Sequence, residues 1–146
     1  MRVAGALAAR ILDDIIGLVV PGITTGEIDA EITRMVKEAG AISATIGYKG
    51  YQHASCISVN HVVCHGVPGT AIPLNKDETI SKTHEKRRGD DSLKDGDILN
   101  IDVTVIVDGW FGDTSRLYVA GDLTRQAERL VEVTHDALLK LSLVHI

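Results

Sequence analysis

Aromatic residues are scarce: Phe, Tyr and Trp make up 3% of the 146 residues, so a core must be built from Val, Ile, Leu and Ala. Cysteine is scarcer still. Cys56 and Cys64 cannot form a disulfide framework, which makes a reducing compartment the default and the cytoplasm the expected location. Positive charge is in deficit, with 15 Lys and Arg against 20 Asp and Glu, and the resulting net charge of −5 argues against a nucleic-acid footprint. Long hydrophobic runs are missing too; none reaches the ~18 apolar residues that a membrane span requires. The stretch from Met1 to Val20 is rich in Ala, Ile and Val, but Asp13 and Asp14 interrupt any signal-peptide core and no small-residue cleavage site follows. An ordinary helix is expected there. What remains is a chain with 45% hydrophobic and 24% charged residues, the composition of one globular domain spanning 1–146.

Val3, Leu7, Ile11, Ile15 and Leu18 recur at helical spacing and predict an amphipathic helix over about residues 2–19, broken by Pro21-Gly22. Thr24-Thr25-Gly26-Glu27 fits a capping box. A second helix should follow it, with Ile28, Ile32, Met35, Val36 and Ala39 on one face and Gly40 at its end. The β-branched run from Cys56 to Cys64, bounded by Gly66 and Pro68, predicts a strand. Residues 70–92 carry five charges of each sign with no core-forming period, and are expected to be an exposed insertion or long loop. Ile98 to Val107 and Trp110 to Val119 read as two strands joined by Asp108-Gly109, a strong hairpin signal because both turn positions need positive φ. From Leu123 to about Leu143 the pattern is helical again, with Ala127, Leu130, Thr134, Ala137, Leu138 and Leu141 as a stripe. The order helix, helix, strand, loop, hairpin, helix is that of an α+β fold.

The hairpin is where chemistry first shows. A two-residue turn at Asp108-Gly109 pairs Val107 with Trp110, Asp102 with Ser115 and Thr104 with Asp113. Asp102, Asp113 and Asn100 then share a face, the two aspartates being diagonal neighbours at most ~7–8 Å apart between backbones. Leu99, Ile101, Val103, Val105 and Val107 make the opposite face wholly apolar. Neighbouring carboxylates on a largely buried sheet repel each other, unless a cation sits between them or one holds a proton. Divalent ions bound by carboxylate oxygens are one solution; solvent at the rim of a half-wet sheet is the other, and hairpin geometry leaves both open. His61 and His65 are four apart, but the Glu of a zinc-protease His-Glu-x-x-His helix is missing and the segment reads as strand. His65 precedes Gly66-Val67-Pro68 at the expected strand end, where binding residues often project. Cys56 and Cys64 match no zinc-pair spacing and are expected to be buried as small apolar residues. His84, His135 and His145 have no evident partners.

Cys-His-Gly-Val-Pro at 64–68, Leu-Lys-Asp-Gly-Asp-Ile-Leu-Asn-Ile-Asp-Val-Thr at 93–104 and Asp-Gly-Trp-Phe-Gly-Asp-Thr-Ser-Arg at 108–116 together resemble the type I methionine aminopeptidases. The resemblance runs back through Gly47-Tyr48-Lys49-Gly50-Tyr51 and Ser58-Val59-Asn60 to Arg2-Val3-Ala4-Gly5, and omits residues 70–92 and the last residues, Leu141 to Ile146. It implies the N-terminal half of a pita-bread fold, a curved antiparallel sheet with covering helices. It also implies two divalent metal ions (Co, Mn, Fe, Zn or Ni) held in part by Asp102 and Asp113. His65 would contact the substrate near the scissile bond, and Tyr48 and Tyr51 would line the methionine pocket with Thr45, which stands where many bacterial members have cysteine. Asn60 and Val62 resemble positions that help hold a structural monovalent cation. The implied function is metal-dependent removal of the initiator methionine from nascent polypeptides, with the ribosome as a further partner. The family's remaining ligands, one histidine and two glutamates, belong to a second half, without which two aspartates should hold a divalent ion weakly and an apolar face should stand exposed. Little or no activity is therefore expected of this chain alone. The alternative reading is a non-catalytic fragment or a binding protein of the same fold.

Overall fold

The computed structural model describes residues 1–69 and 90–143. Helix α1 (Arg2–Asp14) buries Ala4, Leu7, Ala8, Ile11 and Leu12; Leu7 and Ile11 belong to the expected stripe, but Val3, expected on it, is 68% exposed. It is shorter than expected from the sequence. After Asp14 the chain tightens into a 3₁₀ turn at Ile16–Leu18, because β-branched Val19 and Val20 lead into Pro21, which disfavours helix in the residue before it. Helix α2 (Thr25–Glu38) starts at the predicted capping box: Glu27 N donates to Thr24 Oγ1 at 3.1 Å, and Thr24 N donates to Glu27 Oε2 at 2.9 Å.

Strand β3 (Asp97–Val107) is the axis of a four-stranded antiparallel sheet. Strand β4 (Trp110–Ala120) lies along one edge of it, and β1 (Ile42–Ser43) and β2 (Ser55–Val59) share the other. The predicted hairpin register is observed, with Val107 opposite Trp110, Asp102 opposite Ser115 and Thr104 opposite Asp113. Asp108 and Gly109 both have positive φ (50° and 78°), the mirror-image turn whose twist matches the strands. Leu99, Ile101, Val103 and Val105 are fully buried beneath α1 and α2, with Ile28, Ile32, Ile11 and Leu12. Each such side chain contributes about 1.5–3 kcal/mol of hydrophobic burial. At Gly112 the backbone of α1 comes so close that a Cβ would lie 2.2 Å from the Ala4 carbonyl carbon, so only glycine fits.

The strand expected over 56–64 is corrected. β2 ends at Val59, and Asn60 turns the chain with φ +53°. Its amide Nδ2 donates to Asp97 Oδ1 at 2.9 Å and its Oδ1 accepts from Ile98 N at 3.1 Å, so a partner 37 residues away sets the stop. Of the expected insertion, residues 70–89 lie outside the described residues. Asp91 at its end is no solvated loop residue: its Oδ2 accepts from Thr25 Oγ1 at 2.9 Å and Gly26 N at 2.8 Å, meeting the unsatisfied amides of the α2 N-terminus. Helix α3 (Arg125–Leu143) forms where predicted but buries none of its residues; Leu130, Leu138 and Leu141 are about 60% exposed. Among the described residues, no helix is long and apolar enough to cross a membrane.

Candidate metal centre and substrate cavity

The face of β3 and β4 turned away from α1 carries Asp102, Thr104 and Asp113. Thr104 Oγ1 donates to Asp113 Oδ1 at 2.8 Å, which orients that carboxylate. Asp102 is half-buried on the neighbouring pair, and its pKa is raised above the ordinary carboxylate value. Burial is the largest cause, followed by the charge of Asp113 and a hydrogen bond shared with it; the charge of His65 opposes them. The two carboxyls are thus near enough to repel, on the common face where hairpin register and side-chain parity place them.

His65 reaches this face through the fold-back after β2. Gly66 lies against that strand, accepting from Ile57 N at 2.9 Å and donating from its own N to Ser58 Oγ at 3.1 Å. A Cβ at Gly66 would fall 2.1 Å from the Ile57 carbonyl oxygen, so a side chain there would lift the segment off the sheet and His65 with it. His65 itself has φ +55°. Beside the two aspartates a cavity of about 720 Å³ is lined by Thr45, Tyr48, Tyr51, Cys56, His65 and Phe111, with Thr104 at its edge. Four residues singled out in the sequence, Thr45, Tyr48, Tyr51 and His65, are therefore brought together, next to the threonine that holds Asp113.

Asn60 and Val62 are not part of this cavity. They sit in the turn after β2, where the Asn60 side chain is used by Asp97 and Ile98 and Val62 N donates to Val59 O at 3.1 Å. A cation there would have to be met by main-chain carbonyls. Cys56 is half-buried and lines the cavity, with burial pushing its thiol pKa up, but Cys64 is exposed. The expectation that both cysteines are buried fails for Cys64, which the early end of β2 moves from the strand into the fold-back.

Two residues that matter to the cavity were not anticipated. Asp29 is buried on the inner face of α2, and His53 Nδ1 lies 3.0 Å from its Oδ2. A signal existed: Asp29 occupies a core position of the helical stripe Thr25, Ile28, Ile32 and Val36, where an unpaired acid would be costly.

The aspartate pair suits a hard divalent cation. It offers only carboxylate oxygens, and a positive ion would relieve both the repulsion and the burial cost that raise the Asp102 pKa. Among the described residues, no group of three or more His, Cys, Asp or Glu side chains is arranged to hold an ion, so an ion at the pair would need further ligands.

The architecture and the paired acids suggest a class of metal-dependent hydrolases, and comparison with known proteins makes the family definite. The chain belongs to metallopeptidase family M24, whose model matches residues 1–143. It is 44% identical over 140 residues to a methionine aminopeptidase of Rickettsia prowazekii, an alignment covering 96% of this chain and 46% of that one. The crystal structure of a methionine aminopeptidase from the same organism superposes with a TM-score of 0.77 at 43% identity, over 95% of this chain and 48% of that chain. The Xaa-Pro dipeptidase of Bacillus anthracis, at 17% identity and a TM-score of 0.66, shares the fold alone, over 93% of this chain and 31% of its own. The arrangement is thus half of the pita-bread fold that the sequence resemblance implies. The chain spans about half the length of the curated relatives it matches.

Proposed function

We propose that this chain is the aspartate-bearing half of a methionine aminopeptidase, an enzyme that removes the N-terminal methionine of nascent polypeptides. The single observation that carries the reading is the cavity holding Thr45, Tyr48, Tyr51 and His65 beside the Asp102–Asp113 pair. Tyr48, Tyr51 and Thr45 bound a space with apolar walls that takes an unbranched thioether side chain. The Tyr51 hydroxyl is committed to the Ser55 carbonyl, to which it donates at 2.8 Å. Burial raises the Tyr51 pKa, so the ring stays neutral. His65, at the mouth, has two ring nitrogens with which to hold the scissile amide or the departing amine. Divalent ions held by Asp102 and Asp113 would supply a water of lowered pKa and polarise the scissile carbonyl. The same reading takes two ions per complete site (Co, Mn, Fe, Zn or Ni), a monovalent cation near Asn60 and Val62, and a cytoplasmic location beside the ribosome.

One observation favours a second reading, a non-catalytic protein of the same fold: the described residues hold a carboxylate pair and no fuller ligand cluster. A chimera decides between them. Residues 1–124 of this chain replace the matching part of the Rickettsia prowazekii relative, and methionine release from Met-Ala-Ser is measured with added Mn²⁺ or Co²⁺. The proposal expects metal-dependent release by the chimera that Asp102→Asn abolishes, and little or none by the 146-residue chain alone. A folded chimera without release supports the non-catalytic reading, and release that survives Asp102→Asn overturns the role given to the aspartate pair.

A further inference from the structure

The wall of the cavity is braced from behind by a pair that peptide hydrolysis does not use. Asp29 is 6% exposed, and both its oxygens are committed. Oδ2 accepts from His53 Nδ1 at 3.0 Å, and Oδ1 accepts from Ser55 N at 2.9 Å and Ser55 Oγ at 2.7 Å. An ionised carboxylate only accepts, so the His53 Nδ1 carries the proton. These bonds pin the stretch from His53 to Ser55 onto α2.

Two side chains of the cavity wall rest on that stretch. Thr45 Oγ1 donates to the His53 carbonyl at 2.6 Å. The Tyr51 and His53 rings meet edge to face, with centroids 5.4 Å apart and planes at 66°, and the Tyr51 hydroxyl donates to the Ser55 carbonyl. A buried acid is a poor way to stabilise a helix face, since apolar replacements of buried ion pairs are often neutral or stabilising. What the acid adds is direction: it fixes the angle of a ring and of a carbonyl, both of which meet residues of the cavity. An apolar residue on α2 would fill the space without fixing either.

We propose that His53, held by Asp29, is a positioning residue that sets Tyr51 and Thr45 for the methionine side chain. The proposal rests on reading the cavity as the methionine pocket. It is tested on the 146-residue chain with ¹³C-labelled Tyr and Thr, using L-methionine amide as probe and calorimetric Mn²⁺ affinity as control. His53→Ala should shift the Tyr51 ring and Thr45 methyl signals of the folded protein. It should weaken methionine-amide binding about tenfold, the size of one buried charge-assisted hydrogen bond, and leave Mn²⁺ affinity unchanged. His53→Asn, whose amide can occupy the Nδ1 position, should restore the Thr45 signal and most of the affinity. A merely structural residue would lower the melting temperature and, through the lost ring current, move the Tyr51 signal, but would leave the Thr45 signal and the methionine-amide affinity unchanged. An unmoved Thr45 signal together with unchanged affinity in folded His53→Ala overturns the proposal. Should that variant fail to fold, His53→Phe, which keeps a ring and drops the donor, carries the same test with the same overturning result. If the wild-type chain takes no methionine amide, the pocket reading fails, and the Thr45 signal alone decides the positioning role.

Discussion

Burial does more to the Asp102 carboxyl than its neighbour does, yet both act against the charged form. Removing the charge should therefore help the bare fold while harming the site. Asp102→Asn is expected to raise urea resistance in EDTA by up to about 1 kcal/mol, the scale of one relieved repulsion at a half-exposed position, and to abolish Mn²⁺ binding. Denaturation curves with and without the metal check both halves of that expectation. Tyr118 gives a second residue-level prediction. Its hydroxyl donates to the Leu12 carbonyl at 2.6 Å beneath α1, and burial pushes its pKa up to about 12. The unfolded chain loses that proton at about pH 10, so the stability it contributes is complete below pH 10 and is lost as the pH rises towards 12. Tyr118→Phe should cost about 1–2 kcal/mol at pH 7, since the Leu12 carbonyl loses its donor, and should flatten the decline between pH 10 and 12. Urea midpoints of the two proteins across that range are the measurement.

At the scale of elements, what the sequence reveals and what it hides divide by range. The Asp108-Gly109 hairpin, the α2 capping box and the apolar face of β3 are all local patterns, and the residues that set them lie within a few positions of one another. The register alone puts Asp102 and Asp113 on one face. The end of β2 was hidden because Asn60 turns on Asp97, far along the chain, and the brace of Asp29 on His53 and Ser55 was hidden for the same reason. β1 is a two-residue strand with no period to detect. The fold-back at Gly66 was legible only as a strand boundary, although it delivers His65 to the site. Gly66→Ala is accordingly expected to keep α1, α2 and the hairpin but to displace His65, because the added methyl meets the Ile57 carbonyl. Chemical shifts of the His65 ring should move with little change at β4. Thr24→Ala should cost about 1 kcal/mol through loss of the α2 cap, read from thermal unfolding.

Over the whole molecule, stability is uneven. α1, α2 and the inner face of the sheet make one continuous core, whereas α3 buries nothing. A helix without tertiary burial opens locally at little cost. Amides of α3 should thus exchange with deuterium long before those of β3, and deleting residues 125–146 should leave β3 protection unchanged. The site belongs to the stable part, since every element that carries Asp102, Asp113 and His65 packs on that core. The proposed divalent metal centre on this face is tested most directly by a Mn²⁺ titration followed by NMR. We predict paramagnetic broadening that starts at Asp102, Thr104, Asp113 and His65, spares α2, and disappears in Asp102→Asn. Broadening spread over the exposed acids, or unchanged by that substitution, would contradict the account.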